Sequence, residues 1–236
     1  ILDNDPQFEL ARFELGKLLL KTKNVGPAME MFQVLVSSEG QNPEYFYYLG
    51  KVYESIDNTN KANSSYKTAV KMDSTHLRSL YALGKHYVGK EIRDSALVYI
   101  DQGLRFYEND VAMINLKALA YYNNGQFSLA IPHFERLLEL GEEKAFVYEK
   151  LAYCYFRNWE PEKALETYHK LKDFPEKLAV AYSGLGEVYF EEKKLDSAQY
   201  YNEKSIEERR VFFPQEYASL GRIARLKGQT KKSMDY

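Results

Sequence analysis

Residues 43–76 read PEYFYYLGKVYESIDNTNKANSSYKTAVKMDSTH, and the spacing of small residues in this stretch recurs along the whole chain. Gly50 is the first small residue of the stretch, and Ala62 is the second. In steps of 34 residues, with one step of 35 at the end, the position of Gly50 is held by Gly16, Gly50, Gly84, Ala118, Ala152, Gly186 and Gly221. The position of Ala62 is held in phase by Ala28, Ala62, Ala96, Ala130, Ala164, Ala198 and Ser233. A fixed period in this range is the signature of a solenoid of repeated units.

Each repeat carries two apolar stripes with helical spacing. In the stretch quoted above, Phe46, Leu49 and Tyr53 lie four before, one before and three after the first small residue. Tyr66 lies four residues after the second small residue. Offsets of three and four mark one face of a helix, so each repeat is predicted to be a pair of amphipathic helices.

The joints between the helices carry polar residues at the same period. Asn60, Asp94, Ser128 and Asp196 each lie two residues before the second small residue, and we predict that they cap the second helix. Pro132 lies four residues past Ser128, which predicts a helix that starts late or has a tight first turn.

These residues resemble the tetratricopeptide-repeat pattern. The resemblance is carried by Leu49, Gly50, Tyr53, Ala62, Tyr66 and Ala69, and again by Ala118, Tyr121, Gly125, Phe127, Ala130 and Phe134. It implies an all-α fold, a right-handed superhelical solenoid of antiparallel helix pairs with about six and a half repeats. The repeats are predicted to begin near Glu9, Pro43, Leu77, Val111, Ala145, Ala179 and Pro214.

The repeats extend over residues 1–236, which we interpret as a single tetratricopeptide-repeat domain. The seventh repeat stops at Tyr236 before its second helix is complete. We therefore expect the chain to be part of a longer repeat array.

Composition narrows the classes of partner. The net charge is −2 and the isoelectric point is about 6.2, whereas nucleic-acid binding needs a basic stripe and usually a basic domain. No apolar run approaches the roughly 20 residues of a membrane span, so neither nucleic acid nor direct membrane insertion is expected. The single cysteine, Cys154, is predicted to be a small core residue and leaves both the cytoplasm and the periplasm open.

The sequence contains no recognisable catalytic or metal-binding motif. The four histidines lie at positions 76, 86, 133 and 169, without metal-ligand spacing and in different repeats. Cys154 and His169 have the chemistry of a nucleophile and a base. We do not expect them to form a catalytic pair, because they fall on different helices and nothing orients them. We expect neither enzymatic activity nor a cofactor.

The family resemblance implies that first-helix positions three before and one after the first small residue face a concave groove. From these two positions we predict a partner-binding surface of Lys17, Tyr47, Lys51, Tyr81, Lys85, Asn115, Glu149, Tyr153 and Glu187. Phe13 and Arg222 occupy the same positions in the first and last repeats. The three lysines alternate with aromatic residues, which suits an acidic peptide segment. The alternative is that they are ordinary solvated helix residues in a chain that contains 21 tyrosines.

Residues 183–186, Ser-Gly-Leu-Gly, remove side-chain bulk from one first helix. Two interpretations are open: close packing at Gly186 with no role for Gly184, or a pocket near Tyr153 and Phe156 that accepts a partner's side chain.

Three functions are compatible with these observations. The first is a non-catalytic scaffold that binds a peptide or protein segment in its groove. The second is a substrate-selecting or regulatory arm of a larger enzyme or signalling protein; the transferase version predicts a series of groove asparagines, of which Asn115 alone fits. The third is glycan binding by exposed tyrosines. The first agrees best with the lysine and tyrosine pattern.

Overall fold

The computed structural model describes residues 6–37, 42–209 and 214–228, with side chains from residue 8 onward. These residues form thirteen α-helices and no strand. The helices are α1 (Pro6–Lys21), α2 (Val25–Ser37), α3 (Pro43–Ser55), α4 (Thr59–Met72), α5 (Leu77–Gly89), α6 (Arg93–Phe106), α7 (Val111–Asn123), α8 (Phe127–Glu139), α9 (Ala145–Arg157), α10 (Pro161–Leu171), α11 (Leu178–Glu191), α12 (Leu195–Glu208) and α13 (Pro214–Leu226). A 3-10 turn, Pro175–Lys177, precedes α11.

The described residues divide into two compact units, the first ending at Leu116 and the second beginning at Lys117. In the first unit α1, α3 and α5 pack against α2, α4 and α6, and each such pair stacks on the next. In the second unit α9 and α11 pack against α10 and α12, and α13 stacks on α12. The predicted all-α helical-repeat solenoid is confirmed, whereas the single domain over residues 1–236 stays a prediction.

The small residues recur because a large side chain of the second helix fills the space beside each of them. A β-carbon added to Gly50 would lie 2.4 Å from the Tyr66 ring, and one added to Gly186 would lie 2.7 Å from the Asn202 amide nitrogen. Gly16 and Gly84 meet Phe32 and Ile100 in the same way. The close approach is therefore within each helix pair, between one backbone and one side chain. Ser233 lies outside the described residues.

Leucine precedes the first small residue in most repeats and is buried in all of them except the first. Leu49 is 7% exposed and Leu83 is fully buried, but Leu15 is 46% exposed. In the described residues α1 has a helix pair on one side only, so the apolar face that contains Leu15 has nothing to pack against.

The predicted caps lie two residues too far along the chain. Asn60, Asp94, Ser128 and Asp196 are the second residues of α4, α6, α8 and α12. The N-cap of α4 is Asn58, whose side chain accepts a hydrogen bond from the Lys61 amide at 3.2 Å. The two aspartates instead place negative charge in the first turn, where it interacts favourably with the helix dipole.

Two residues before the start of each of α2, α4, α6, α8, α10 and α12, the backbone is in the left-handed conformation. The positive φ angles are 61° at Lys23, 56° at Asp57, 57° at Glu91, 69° at Gly125, 61° at Trp159 and 60° at Lys193. This conformation turns the chain from the first helix into the second, and side chains other than Gly, Asn and Asp adopt it at a cost.

Pro132 does not delay its helix, so the late start that the sequence offered as one outcome is wrong. The other outcome, a tight first turn, agrees with the Leu129 amide donating to the Gln126 carbonyl at 3.1 Å. Helix α8 begins at Phe127 and contains Pro132 in its second turn. Both Pro132 and Ser128 are exposed, so water can hydrate the Ser128 carbonyl group that loses its helical hydrogen-bond donor.

Candidate binding surface on the first helices

In the first unit, two of the three predicted lysines already have acidic partners. Lys17 donates to both carboxylate oxygens of Glu14, at 2.9 and 3.0 Å, and this hydrogen bond raises the pKa of Lys17. Lys51 donates to Glu54 at 2.5 Å. Each pair lies one turn apart on one helix, so the positive charge of this face is partly neutralised by its own helices. Lys85 is exposed, and no ion pair to it occurs within the described residues.

The aromatic residues beside these lysines are partly packed into the core. The Tyr47 ring lies 5.1 Å from the ring of Tyr48 and 5.8 Å from that of Tyr66, and burial raises the pKa of Tyr47. Phe13 lies 5.1 Å beneath the Lys17 ammonium group. Tyr81 is partly exposed on α5. Of the three lysines, Lys17 is the one whose ammonium group lies over a ring in the described residues.

Asn115 on α7 offers an unused hydrogen-bond acceptor. Its Oδ1 atom is buried and has no hydrogen-bond partner in the described part of the chain. A buried acceptor without a partner is uncommon in folded proteins, but because this oxygen is closed off from solvent, a ligand on the surface does not reach it.

In the second unit, the structure separates Glu149 from the other two predicted residues. The Glu149 carboxylate pairs with the Lys177 ammonium group at 2.6 Å and does not line the cavity that contains Tyr153 and Glu187. This ion pair joins α9 to the 3-10 turn before α11, so Glu149 has a structural partner already.

Tyr153 and Glu187 line one cavity of about 680 Å³. Its walls come from three consecutive first helices, α9, α11 and α13, with contributions from the α9–α10 turn and from α12. The lining residues are Tyr153, Phe156, Arg157, Trp159, Gly186, Glu187, Phe190, Glu191, Asn202, Gln215, Ser219 and Arg222. A concavity of this volume falls within the range of small-ligand and peptide pockets.

The two arginines of the cavity are held against its walls. The Arg157 guanidinium donates to the Tyr153 hydroxyl at 2.7 Å and lies 5.0 Å over the Phe127 ring. The Arg222 guanidinium lies 5.4 Å over the Phe190 ring. Cation–π contacts of this kind fix a guanidinium group without an acidic partner.

Glu187 has no such support. It makes no hydrogen bond or ion pair to any described residue. The side chain is exposed to solvent within the cavity, and the partial desolvation that the surrounding walls impose raises the pKa of the carboxyl group. Glu216 and Glu191 raise the pKa further, while Arg222 and Arg157 lower it.

The two glycines of residues 183–186 have separate roles. A β-carbon on Gly184 would lie 2.3 Å from the ring of Tyr168, which is 3% exposed, so Gly184 serves core packing and is not without a role. Gly186 lines the cavity and also contacts Asn202. The predicted pocket near Tyr153 and Phe156 is present.

The structure does not bring Cys154 and His169 together as a reactive pair. Cys154 is fully buried, and burial raises the pKa of its thiol to about 12. His169 is exposed on α10 and its ring contacts Tyr201 at 6.3 Å. In the described residues, no group of three or more His, Cys, Asp or Glu residues could hold a metal ion, and no helix is long and apolar enough to cross a membrane.

One side-chain array in the first unit has the composition of a hydrolase triad. His76 Nδ1 lies 2.9 Å from Ser79 Oγ, and His76 Nε2 lies 3.4 Å from Glu44 Oε1. Ser79 is fully buried, so its hydroxyl group cannot reach a substrate. We interpret this array as a joint between α3 and α5, completed by the ion pair of Arg78 with Glu44 at 3.1 Å.

Several residues of the cavity lie outside the groove positions predicted from the sequence. Arg157, Phe190 and Glu191 lie four or five residues after the first small residue of their repeats, one helical turn beyond the predicted positions. Side chains three and four apart share a helix face, so extending the same register would have found them. Trp159 belongs to a turn, where helical register gives no information.

Two segments of the chain match sequence profiles described as tetratricopeptide repeat, residues 43–76 and residues 115–177. No curated protein sequence matches the chain at a significant level.

Solved structures, two of them described as tetratricopeptide-repeat proteins, resemble the fold at low sequence identity. YrrB, described as a TPR protein with an unusual peptide-binding site, is 20% identical with a TM-score of 0.70, over 77% of this chain and 94% of YrrB. A tetratricopeptide repeat protein from Parabacteroides merdae is 16% identical with a TM-score of 0.69, over 96% and 90% of the two chains. MamA is 19% identical with a TM-score of 0.64, over 72% and 93%.

Proposed function

We propose that the chain binds a peptide segment of another protein on the faces of its first helices, without catalysing a reaction on the segment. The chain belongs to the tetratricopeptide-repeat family, whose members are in general protein-interaction scaffolds. The cavity of the second unit carries this proposal, since three consecutive first helices line it and present rings and charged groups to the same space. Aromatic and arginine side chains are the residues most often found at binding hot spots.

The likeness to YrrB supports the same function. That protein is described as having an unusual peptide-binding site, and a peptide is the kind of ligand that a row of parallel helix faces accommodates along its length.

For the first unit we propose that the same kind of face binds an acidic segment through Lys17, Lys51 and Lys85. Exposed ion pairs contribute about 0.2–1 kcal/mol each, so exchanging Glu14 or Glu54 for a carboxylate of the ligand costs little. The rings of Tyr47 and Tyr81, which are partly exposed, supply apolar contact area.

Two observations support a non-catalytic role. The Cys154 thiol is buried with a raised pKa and is not a nucleophile. The Ser79 hydroxyl group, which has His76 as a neighbour, is also buried.

The proposal is tested by selecting phage-displayed random dodecapeptides on the immobilised protein. We expect families of peptides that bind the protein and do not bind an unrelated helical protein. If repeated selection enriches no peptide above that background, the proposed function is wrong.

The lysine face is tested with the acidic peptides from that selection. The triple variant Lys17→Glu, Lys51→Glu, Lys85→Glu is expected to lose their capture while its helical circular dichroism stays unchanged, because like charges then face the peptide. Lys71→Glu, on the exposed side of the second helix α4, is the matched control. Capture should also weaken as salt rises, since exposed charges are screened beyond about 8 Å at physiological ionic strength. Unchanged capture by the triple variant would remove the lysines from the site.

A further inference from the structure

The two arginines of the second-unit cavity already contact hydroxyl groups and rings of its walls. Arg157 donates to the Tyr153 hydroxyl at 2.7 Å and lies 5.6 Å over the Tyr153 ring. Arg222 donates to Ser219 Oγ at 3.3 Å and lies over Phe190. Both guanidinium groups are exposed and keep their charge, but an anionic ligand would compete with the ring and hydroxyl contacts that each already makes.

The two carboxylates of the cavity have no such contacts among the described residues. Neither Glu187 nor Glu191 has a hydrogen bond or an ion pair to a described residue, whereas the nearby Glu149 and Glu216 pair with Lys177 and Arg209. Both carboxylates are exposed in the cavity, so a cation that enters can pair with either of them and favours its ionised form. The raised pKa of Glu187 agrees, because the two arginines do not offset the effect of burial.

Two rings of the cavity are also without a cation. No cationic side chain lies over Phe156 or Trp159 in the part of the chain that the structure describes. Trp159 is 80% exposed, although its backbone has the left-handed conformation that a glycine adopts more readily. A large exposed aromatic side chain at the rim of a cavity provides apolar area for a ligand's alkyl chain and a face for its charge.

We propose that this cavity accepts a lysine or arginine side chain of the bound peptide, with its charged end at the Glu187 carboxylate and its alkyl stem against Phe156 and Trp159. Lysine and arginine combine an apolar stem with a charged tip, which suits a lining that contains both rings without a cation and unpaired acids. An acidic side chain would meet Glu187 and Glu191 with like charge. A purely apolar side chain would remove more water from Glu187 and give it no partner. The inference rests on the proposed peptide binding.

The test uses the same displayed dodecapeptides, selected in parallel on the intact protein, on Glu187→Gln and on Glu143→Gln. Glu143 is an exposed residue of the loop before α9 and is the matched control for the loss of one carboxylate. We expect peptides from the wild-type protein and from Glu143→Gln to share a basic residue at one position. Glu187→Gln should lose this enrichment.

One selected peptide is then synthesised with its basic residue as arginine and as citrulline, which has nearly the same shape but no charge. The arginine form should bind the wild-type protein about tenfold or more tightly than the citrulline form, since charge-assisted hydrogen bonds are the stronger kind. Against Glu187→Gln the two forms should bind alike. The arginine form should also change the emission of Trp159, the single tryptophan of the chain.

A second pair of variants separates binding from folding. Trp159→Gly and Lys193→Gly both place glycine at a left-handed turn position, with φ angles of 61° and 60°, but Trp159 alone lines the cavity. Both variants should fold. Trp159→Gly alone should lower the affinity for the arginine peptide, as measured by calorimetry.

The outcomes are distinct. Selection of peptides that bind but share no basic residue, or share an acidic one, overturns the inference and leaves the proposed function standing. Equal affinity of the arginine and citrulline forms for the wild-type protein also overturns it. Failure to select any peptide contradicts the proposed function itself.

Discussion

Gly50 lies directly against the ring of Tyr66, so that a β-carbon at position 50 would approach the Tyr66 Cε1 atom to 2.4 Å. Tyr66 is 1% exposed and cannot move aside into solvent. The variant Gly50→Ala is therefore expected to lower the free energy of unfolding by about 1–3 kcal/mol, although alanine favours helix by up to about 1 kcal/mol. Urea denaturation followed by circular dichroism measures this change. Gly26→Ala, where no atom lies within 4 Å of the added carbon, should be neutral or stabilising.

The left-handed turn residues predict substitutions that stabilise the fold. Glu91 has a φ angle of 57° and is exposed. Glycine relieves a backbone cost of about 1–2 kcal/mol there but adds freedom to the unfolded chain. Glu91→Gly should therefore raise the free energy of unfolding by up to about 1 kcal/mol in thermal melts. Asp57→Gly should gain less, because aspartate tolerates this conformation better. A loss of stability in Glu91→Gly would contradict the argument.

The buried Glu216 is held by a charged partner whose removal should be costly. Glu216 is 1% exposed, and its Oε1 atom accepts from Arg209 at 2.7 and 2.8 Å and from Ser205 Oγ at 3.2 Å. Arg209→Met leaves this carboxylate with no cation, which typically destabilises by about 3–5 kcal/mol. The loss should appear in urea denaturation. Lys204→Met, which removes an exposed pair with Glu207, should cost less than about 1 kcal/mol.

Cys154 is predicted to be inert in the folded protein. It is fully buried and its thiol pKa is raised to about 12, so the reactive thiolate is scarce near pH 8. Iodoacetamide should label the native protein very slowly and label it completely in denaturing urea, as followed by mass spectrometry. Rapid labelling of the native protein would contradict the buried position.

The binding of a basic peptide in the second unit should depend on pH through Glu187. Its pKa is raised in the free protein, so acid protonates it before an ordinary glutamate. A bound cation favours the ionised form, and affinity should therefore fall as pH drops through this raised pKa. The charged or titratable groups that influence Glu187 or are influenced by it are Arg157 on α9, Tyr168 on α10, Glu191 on α11, and Glu216 and Arg222 on α13.

Calorimetry of the arginine peptide over a series of pH values measures this dependence. Glu187→Gln should bind weakly at every pH and show a flat profile over the same range. A wild-type profile that is equally flat would show that ionisation of Glu187 does not contribute to binding.

Much of the fold follows from local sequence. The helix starts predicted near Pro43, Leu77, Val111, Ala145 and Pro214 are confirmed, the start near Ala179 differs by one residue, and the start near Glu9 differs by three. These positions are readable because a helix pair contacts only its neighbours and the same local rules repeat. The caps were misplaced by two residues because an aspartate serves almost equally well at the cap and in the first turn.

Part of the candidate site also follows from the register of the repeats, and part of it depends on the tertiary structure. The register of the repeats correctly brought Tyr153 and Glu187 together, along with Arg222 of the same position. It could not distinguish Glu149 from Glu187, since both are first-helix glutamates at predicted groove positions. Lys177 neutralises the first at 2.6 Å and no described residue pairs with the second.

By itself, the sequence determined that the chain is a stack of helix pairs, because the period of small residues and the apolar stripes are local properties of each repeat. The tertiary structure alone decided which charges remain available to a partner. Ion pairs, cation–π contacts and the loss of water depend on distances between side chains of different helices, and those distances do not repeat every 34 residues. Glu187 is available because it is exposed in the cavity, no described residue pairs with it, and the neighbouring arginines contact rings of the walls.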